Sequence, residues 1–547
     1  MSETVSTDLR ELDALVVGAG FSGLYMLHRL RNTLGMSALV LEAADDVGGT
    51  WYWNRYPGAR CDSESYFYSF SDRLSEDLLE EWTWSERFAG QREILDYLNF
   101  VTDKMDLRRD IQFGTAVTGA VYDEANNRWE ITTDDGGTTT ARYLVTAVGC
   151  ISTTNLPAFP GLADYAGERY HTGAWPHEPV DFSGKRVAVI GTGATGVQAI
   201  PEIAKQAAHL VVFQRTPNYD IPARNRPLDT EYVQEVKAEY PELWEKARAS
   251  GFGLPYQVVE GSAAEAPPEE RQQRYQRAWD KGGFYIGLET YSDFLVNKDS
   301  NDTISDFIRS RIRETVRDPA TAELLAPSDH PFFTKRPPLE TDYYVTYNRD
   351  NVTLVDINRT PIATITRDGL RTSEQEYAFD AIVFATGFDA MTGTLFKMGI
   401  TGRDGLALED KWADGPSTYL GLTTHGFPNL FMITGPQSPS VLSNMPVAIE
   451  QNTEWIAGLI EHMREVGADY SEATAEAERG WVEHHNQVAD ATLLLGTNSW
   501  WVGANIPGKP RTLYPYVGGV GAFRDICADV ARKGYEGITL TSRTPVR

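Results

Sequence analysis

Cysteine is scarce in this chain: three residues in 547, Cys61, Cys150 and Cys527. They form no C-x-x-C pair, which excludes a disulfide framework and a paired-cysteine redox centre, and suits a reducing compartment. No apolar run approaches the roughly 20 residues needed to cross a bilayer. The first residues, Met-Ser-Glu-Thr-Val-Ser-Thr-Asp, lack the basic and apolar regions of a secretory signal. Basic residues are outnumbered, 50 Lys and Arg against 77 Asp and Glu, a formal charge of −27. Such a surface repels nucleic acid and anionic membranes, so neither is expected as a partner. Histidine is also sparse. The adjacent pair His484-His485 has no further ligands at metal spacing, so no metal site is expected and the pair reads as a solvated helix face. These absences predict a cytoplasmic protein, monomeric or weakly self-associating, that acts on small molecules.

What is present is glycine at two well-spaced places. Ala14-Leu-Val-Val17 is a short apolar run that enters Gly18-Ala-Gly20-Phe21-Ser22-Gly23. A second run, Arg186-Val-Ala-Val-Ile190, enters Gly191-Thr192-Gly193-Ala-Thr195-Gly196. One such pattern is weak, but two, each between a strand and a helical pattern, predict two dinucleotide sites. The glycines serve a tight turn, the approach of a pyrophosphate and helix–strand packing, and the helix N-terminus supplies amide donors. After the first loop, strand Ala38-Leu-Val-Leu41 ends in Glu42, 24 positions beyond Gly18, where a carboxylate can accept ribose hydroxyls. After the second, strand His209-Leu-Val-Val-Phe213 ends in Gln214-Arg215-Thr216. An arginine in that window pairs with a 2′-phosphate, so NADPH is expected over NADH.

Between the loops lies Tyr165-Ala-Gly-Glu-Arg-Tyr-His171-Thr-Gly-Ala-Trp175-Pro176. It resembles the fingerprint F-x-G-x-x-x-H-x-x-x-W-P of the type I Baeyer–Villiger monooxygenases, with Tyr165 in place of the first Phe. Gly48-Gly49-Thr50-Trp51 with Tyr56-Pro-Gly-Ala-Arg-Cys-Asp62, and Ala385-Thr-Gly-Phe-Asp389, are similar to further segments of that family. The resemblance runs from about residue 12 to near the C-terminus, closest to the phenylacetone, steroid and cyclohexanone enzymes. It implies an α/β fold with two Rossmann-like domains: an FAD domain at 1–150 and 387–547, and an NADP domain at 151–224 and 331–386. Residues 225–330, charged and at helical spacing, read as a helical insertion in the NADP domain.

The family's chemistry is NADPH- and O2-dependent conversion of ketones to esters or lactones through a flavin C4a-peroxide. Carried over by position, Arg336 is the cation beside the flavin and Asp62 its holder. Lys335 joins Arg215 at the 2′-phosphate, and Trp500 reaches the nicotinamide nucleotide. Gly49, Thr50 and Trp51 adjoin the flavin, Thr192, Thr195, Gln198 and Thr216 adjoin NADP, and His171 and Trp175 serve as a hinge. The segment Ser440-Val441-Leu442-Ser443 is expected to line the substrate pocket. The surrounding segment from Ser438 to Asn444 looks longer than in the prototype cyclohexanone enzymes, and the resemblance there implies aryl or bulky ketones. The competing reading is a flavin monooxygenase that oxygenates sulfides or amines, whose linker usually ends H-x-x-x-[YF] rather than in Trp-Pro. A non-enzymatic nucleotide sensor would not need the Asp62 and Arg336 pair.

Overall fold

A computed structural model describes residues 10–257 and 259–542. Strand β1 (Arg10–Val17) lies between β2 (Ala38–Leu41) and a later strand, parallel to both. Neighbours on either side and helices above and below bury it on both faces, which is why Ala14–Val17 is apolar without alternation. The short β3 (Ile111–Gln112) extends the sheet beyond β2. On the other flank β4 (Val117–Asp123) and β5 (Arg128–Thr133) lead antiparallel into β6 (Thr138–Thr146). A turn at 134–136 joins β5 to β6.

β6 has two neighbours on its outer edge. Its first half pairs with β5, and its end, Leu144 to Thr146, pairs in parallel with Leu430–Met432. Ile400–Thr401 adds to β4. The C-terminal part of the chain thus returns to the first sheet, which has eight strands.

The second sheet has five strands, all parallel. β7 (Glu168–His171), β8 (Arg186–Ile190) and β9 (His209–Gln214) are joined by Val352–Asp356 and Ala381–Phe384. In space the order is Val352–Asp356, β9, β8, Ala381–Phe384, β7. From β8 the chain moves one way to β9, while Ala381–Phe384 lies on its other side. That reversal opens the crevice at the strand ends where such sheets bind ligands, and Gly191 begins there.

The segment 225–330 is helical as expected, with Thr230–Ala249, Pro268–Lys281, Lys298–Thr315 and Pro319–Leu325. Asp229, Asn297 and Asp318 cap three of these by accepting backbone N–H groups. Its packing is divided. Val236, Tyr240, Trp244 and Ala247 of the first helix enter the core of the first sheet, whereas Tyr275, Ile304, Phe307 and Ile312 enter that of the second. The 261–268 stretch is a largely exposed loop anchored at one point. Ala263 is fully buried, and its carbonyl accepts from Arg271 Nη1 at 2.8 Å.

The histidine pair departs from expectation. His485 is fully buried, four residues after Trp481 on the inner face of Ala475–Asp490, and donates from Nε2 to Leu513 O at 2.8 Å. His484 is half-buried, with Nε2 2.8 Å from Tyr516 Oη.

Candidate active site

The two glycine loops share a logic. In the first, Gly18 has φ +104, and a Cβ there would lie 2.6 Å from Ala147 O; one at Gly23 would lie 1.7 Å from Gly18 O. Those glycines are required by the protein's own packing. Gly20 is different: φ is −84, and its Cβ would meet only the Gly49 backbone, Cα at 3.4 Å and N at 3.8 Å. In the second loop, Gly191 (φ +110) and Gly196 would each bring a Cβ to 2.4 Å from a carbonyl. Gly193, φ −82, would find nothing within 4 Å. No strain and no neighbour demands glycine at 193. Open space at the N-terminus of helix Ala194–Gln206 is what a dinucleotide pyrophosphate requires.

Around the first loop, Phe21 opens helix Phe21–His28, and Ser22 is buried behind it. Glu42 is buried: Oε2 accepts from Ala19 N at 2.5 Å and Oε1 from Ala44 N at 2.8 Å. Burial raises its pKa against the pull of those N–H groups. The carboxylate therefore braces the loop and keeps further lone pairs for a ribose. Gly49 (φ +52) faces Gly20, its Cβ position 3.0 Å from Gly20 Cα. Thr50 and Trp51 begin the short helix Thr50–Trp53, and Trp51 Nε1 donates to Tyr68 Oη at 3.2 Å.

Around the second loop, Thr192 Oγ1 donates to Thr216 O at 3.1 Å, and Thr195 Oγ1 lies 3.1 Å from Thr172 Oγ1. Arg215 is exposed. Lys335 is half-buried beside it: burial pulls its pKa down, Asp329 raises it and Arg215 lowers it. The two cations expected at a 2′-phosphate are brought together.

Gln198 faces another way. Its Oε1 accepts from Tyr56 Oη at 2.8 Å, and Nε2 donates to Arg60 O at 3.1 Å. The amide expected to meet NADP ties helix Ala194–Gln206 to the Tyr56-Pro-Gly segment. The same contact explains Gly58 (φ +81), where a Cβ would lie 2.4 Å from Gln198 O.

Arg336 and Asp62, 274 positions apart, form a bidentate pair. Nε donates to Oδ2 at 2.6 Å and Nη2 to Oδ1 at 2.7 Å, while Nη1 donates to Val441 O at 3.0 Å. Phe284 lies over the guanidinium at 5.2 Å. Each side chain of the pair is about a quarter exposed, 27% and 24%. Burial lowers the Arg336 pKa, but Asp62 more than restores it, so the cation is permanent. Burial pushes the neighbouring Cys61 thiol and Tyr68 phenol well up, so both are neutral.

Val441, Leu442 and Ser443 line a cavity that also touches Arg336, Phe252, Leu254, Phe284 and Trp501. Its volume is about 20 Å³, the room of roughly one water molecule. Ser440 departs from expectation: it is fully buried away from this cavity, with Oγ 2.8 Å from Cys150 Sγ. Trp500 opens the turn Trp500–Val502 and packs near Val441.

His171 ends β7, its Nε2 3.3 Å from both Asn155 O and Thr386 Oγ1. Gly173 N–H donates to its Nδ1 at 3.0 Å, so Nε2 carries the proton, and burial lowers its pKa. It is a neutral link between the strand connections. Trp175 lies in the second core, with Tyr170 at 5.2 Å. Sequence reasoning missed Phe284 and Val441 O as partners of Arg336; an aromatic in a helical insertion and a backbone carbonyl leave no pattern to read.

The flavin-binding monooxygenase-like family matches residues 13–236. A Baeyer–Villiger monooxygenase of Pseudooceanicola batsensis is 45% identical over 98% of this chain and 97% of its own. A phenazine N-monooxygenase of Lysobacter antibioticus is 42% identical over 98% of each. Among solved structures, an oxidized steroid monooxygenase bound to NADP superposes with a TM-score of 0.93 at 49% identity, over 97% of this chain and all of that one. The chain belongs to the flavin-binding monooxygenase-like family, among its Baeyer–Villiger monooxygenases.

Proposed function

We propose that this protein uses NADPH and dioxygen to oxidise ketones to esters or lactones, with FAD as its resident cofactor. The observation that carries the reading is the bidentate Arg336–Asp62 pair beside an apolar cavity. Bound FAD supplies hydride acceptance from NADPH and the activation of dioxygen. The first glycine loop, Glu42, Gly49, Thr50 and Trp51 would hold it. The second loop, Thr216, Arg215, Lys335 and Trp500 would hold NADPH.

What the chain itself adds is charge and shelter. Oxygen transfer to a ketone develops negative charge on oxygen, and Arg336 offers a fixed cation that gives up no proton. Asp62 holds its fork, Phe284 shields one face, and Val441 O fixes the remaining edge. The walls of Phe252, Leu254, Phe284 and Leu442 are apolar and match the hydrocarbon part of a ketone; at about 20 Å³ the cavity must widen to admit an aryl or bulky one. His171, neutral and doubly tied, acts as a connector between the nucleotide units rather than as a base, with Trp175 packed behind it. Among the described residues no helix is long and apolar enough to cross a membrane. We place the enzyme in the cytoplasm as a monomer or weak homo-oligomer.

The resemblance to a phenazine N-monooxygenase supports nitrogen oxygenation as a second reading. A panel of ketones, sulfides and heteroaromatic amines, followed by product mass, separates the two. Arg336→Ala tests the mechanism. Anaerobic reduction of the flavin by NADPH should persist, while ester formation falls at least about a hundred-fold, the loss of a preorganised oxyanion donor. Ester formation near the wild-type rate would remove Arg336 from the reaction.

A further inference from the structure

Arg336 is held at its tip by Asp62 and Val441. Its backbone has a separate partner: Asn218 Nδ2 donates to Arg336 O at 2.8 Å. The amide orientation follows from the network, because Asn218 Oδ1 accepts from Tyr219 N at 2.9 Å, leaving Nδ2 for the carbonyl. Behind it, His330 Nε2 lies 3.4 Å from Asn218 Oδ1, and His330 Nδ1 lies 2.7 Å from Asp329 Oδ1. His330 is itself buried, and Tyr219 Oη donates to its carbonyl at 3.2 Å. One step further along, Ile221 N donates to Pro338 O at 3.0 Å, so segments 218–221 and 336–338 run bolted together.

Asn218 stands two residues after Thr216, whose carbonyl accepts from Thr192 of the second glycine loop. A continuous line of bonds therefore runs from that loop through Thr216, Asn218 and the Arg336 carbonyl to the guanidinium and Asp62. We propose that Asn218 is a positioning residue that sets Arg336 for oxygen transfer from the nucleotide-binding loop, rather than a nucleotide contact. The inference rests on the role proposed above for Arg336.

The test compares Asn218→Ala, Asn218→Asp, Arg336→Ala and the Asn218→Ala/Arg336→Ala double variant as FAD-loaded enzymes. Three quantities are measured: anaerobic flavin reduction by NADPH, the KM for NADPH, and the ratio of ester to hydrogen peroxide under air. Asn218→Ala should leave the first two within about two-fold and lower the ratio about ten-fold, the effect of one lost hydrogen bond. Asn218→Asp keeps the acceptor for Tyr219 N but has no N–H for the carbonyl, so it should fail equally. The double variant should be no worse than Arg336→Ala alone, because both changes act through one group.

A ratio unchanged in Asn218→Ala, with Arg336→Ala impaired, overturns the clamp and leaves the Arg336 reading standing. A wild-type-like Asn218→Asp also overturns it. So does a loss in flavin reduction as large as the loss in ester, or a double variant with additive losses; either marks a general structural role. Full ester formation by Arg336→Ala would instead remove the reading beneath it.

Discussion

Replacing Asp62 separates the placement of Arg336 from its charge, because the guanidinium stays protonated with or without its partner. In the native pair Asp62 accepts two charge-assisted bonds, at 2.6 and 2.7 Å. Such a bond contributes about 1.5–3 kcal/mol, and partial exposure of both side chains argues for the lower end. Two bonds then amount to about 3 kcal/mol, or roughly a hundred-fold in rate if the holding is needed at the oxygenation barrier. Asp62→Ala should show that full loss. Asp62→Asn keeps one acceptor oxygen and presents an amide N–H to the other donor, so about half the free energy survives and the loss is roughly ten-fold. Asp62→Glu retains the charge but pushes the carboxylate into a space already filled by the fork, and should fall between the two. Ester production is read by gas chromatography beside stopped-flow reduction under argon. The graded order should appear in ester formation and not in reduction. Equal rates for Asp62→Asn and wild type, or losses shared equally by both half-reactions, would refute the placement argument.

Arg215→Ala and Lys335→Ala should each raise the KM for NADPH about ten- to a hundred-fold while leaving NADH kinetics almost unchanged, the loss of a charged contact; equal losses with both nucleotides would show that neither reads the phosphate. Gly193→Ala should keep the wild-type Tm and weaken NADPH by at least about ten-fold. Gly191→Ala, forced to φ +110 with its Cβ 2.4 Å from Ala385 O, should lower stability by at least about 1–3 kcal/mol, read by urea unfolding. For His485, burial lowers the pKa below its ordinary 6.5. The folded ring is neutral while the unfolded ring takes a proton, so its contribution is complete above pH 6.5 and is lost as pH falls from there toward the folded value. His485→Gln should flatten the fall of Tm as pH drops below about 6.5, and an unchanged slope would remove the residue from acid destabilisation.

The two glycine loops and their strands could be read from local pattern, because strand, turn and helix each leave a period in the chain. The strands flanking the second loop, β8 and β9, were legible in the same way, whereas the five-strand order of their sheet was not. The Arg336–Asp62 pair was legible only through family resemblance, since nothing local joins positions 274 residues apart. Two expectations failed where a side chain had a nearer partner than the one chemistry suggested. Ser440 turns to Cys150, and His485 points inward to Leu513. Asn218 was invisible for a related reason. A side chain that clamps a distant carbonyl has no spacing to betray it.

Gly193 has a consequence for how this sequence drifts. The fold polices Gly191 and Gly196 by collision, so any lineage that must merely fold keeps them. Nothing inside the folded chain penalises a methyl group at 193, and only a guest in the crevice can object to it. A population of variants selected for solubility alone should therefore accumulate Ala or Ser at 193 while its two neighbours stay fixed. Selection for turnover would hold all three. Deep sequencing of the two pools would read out, at one codon, which part of the loop belongs to the architecture and which part to the visitor.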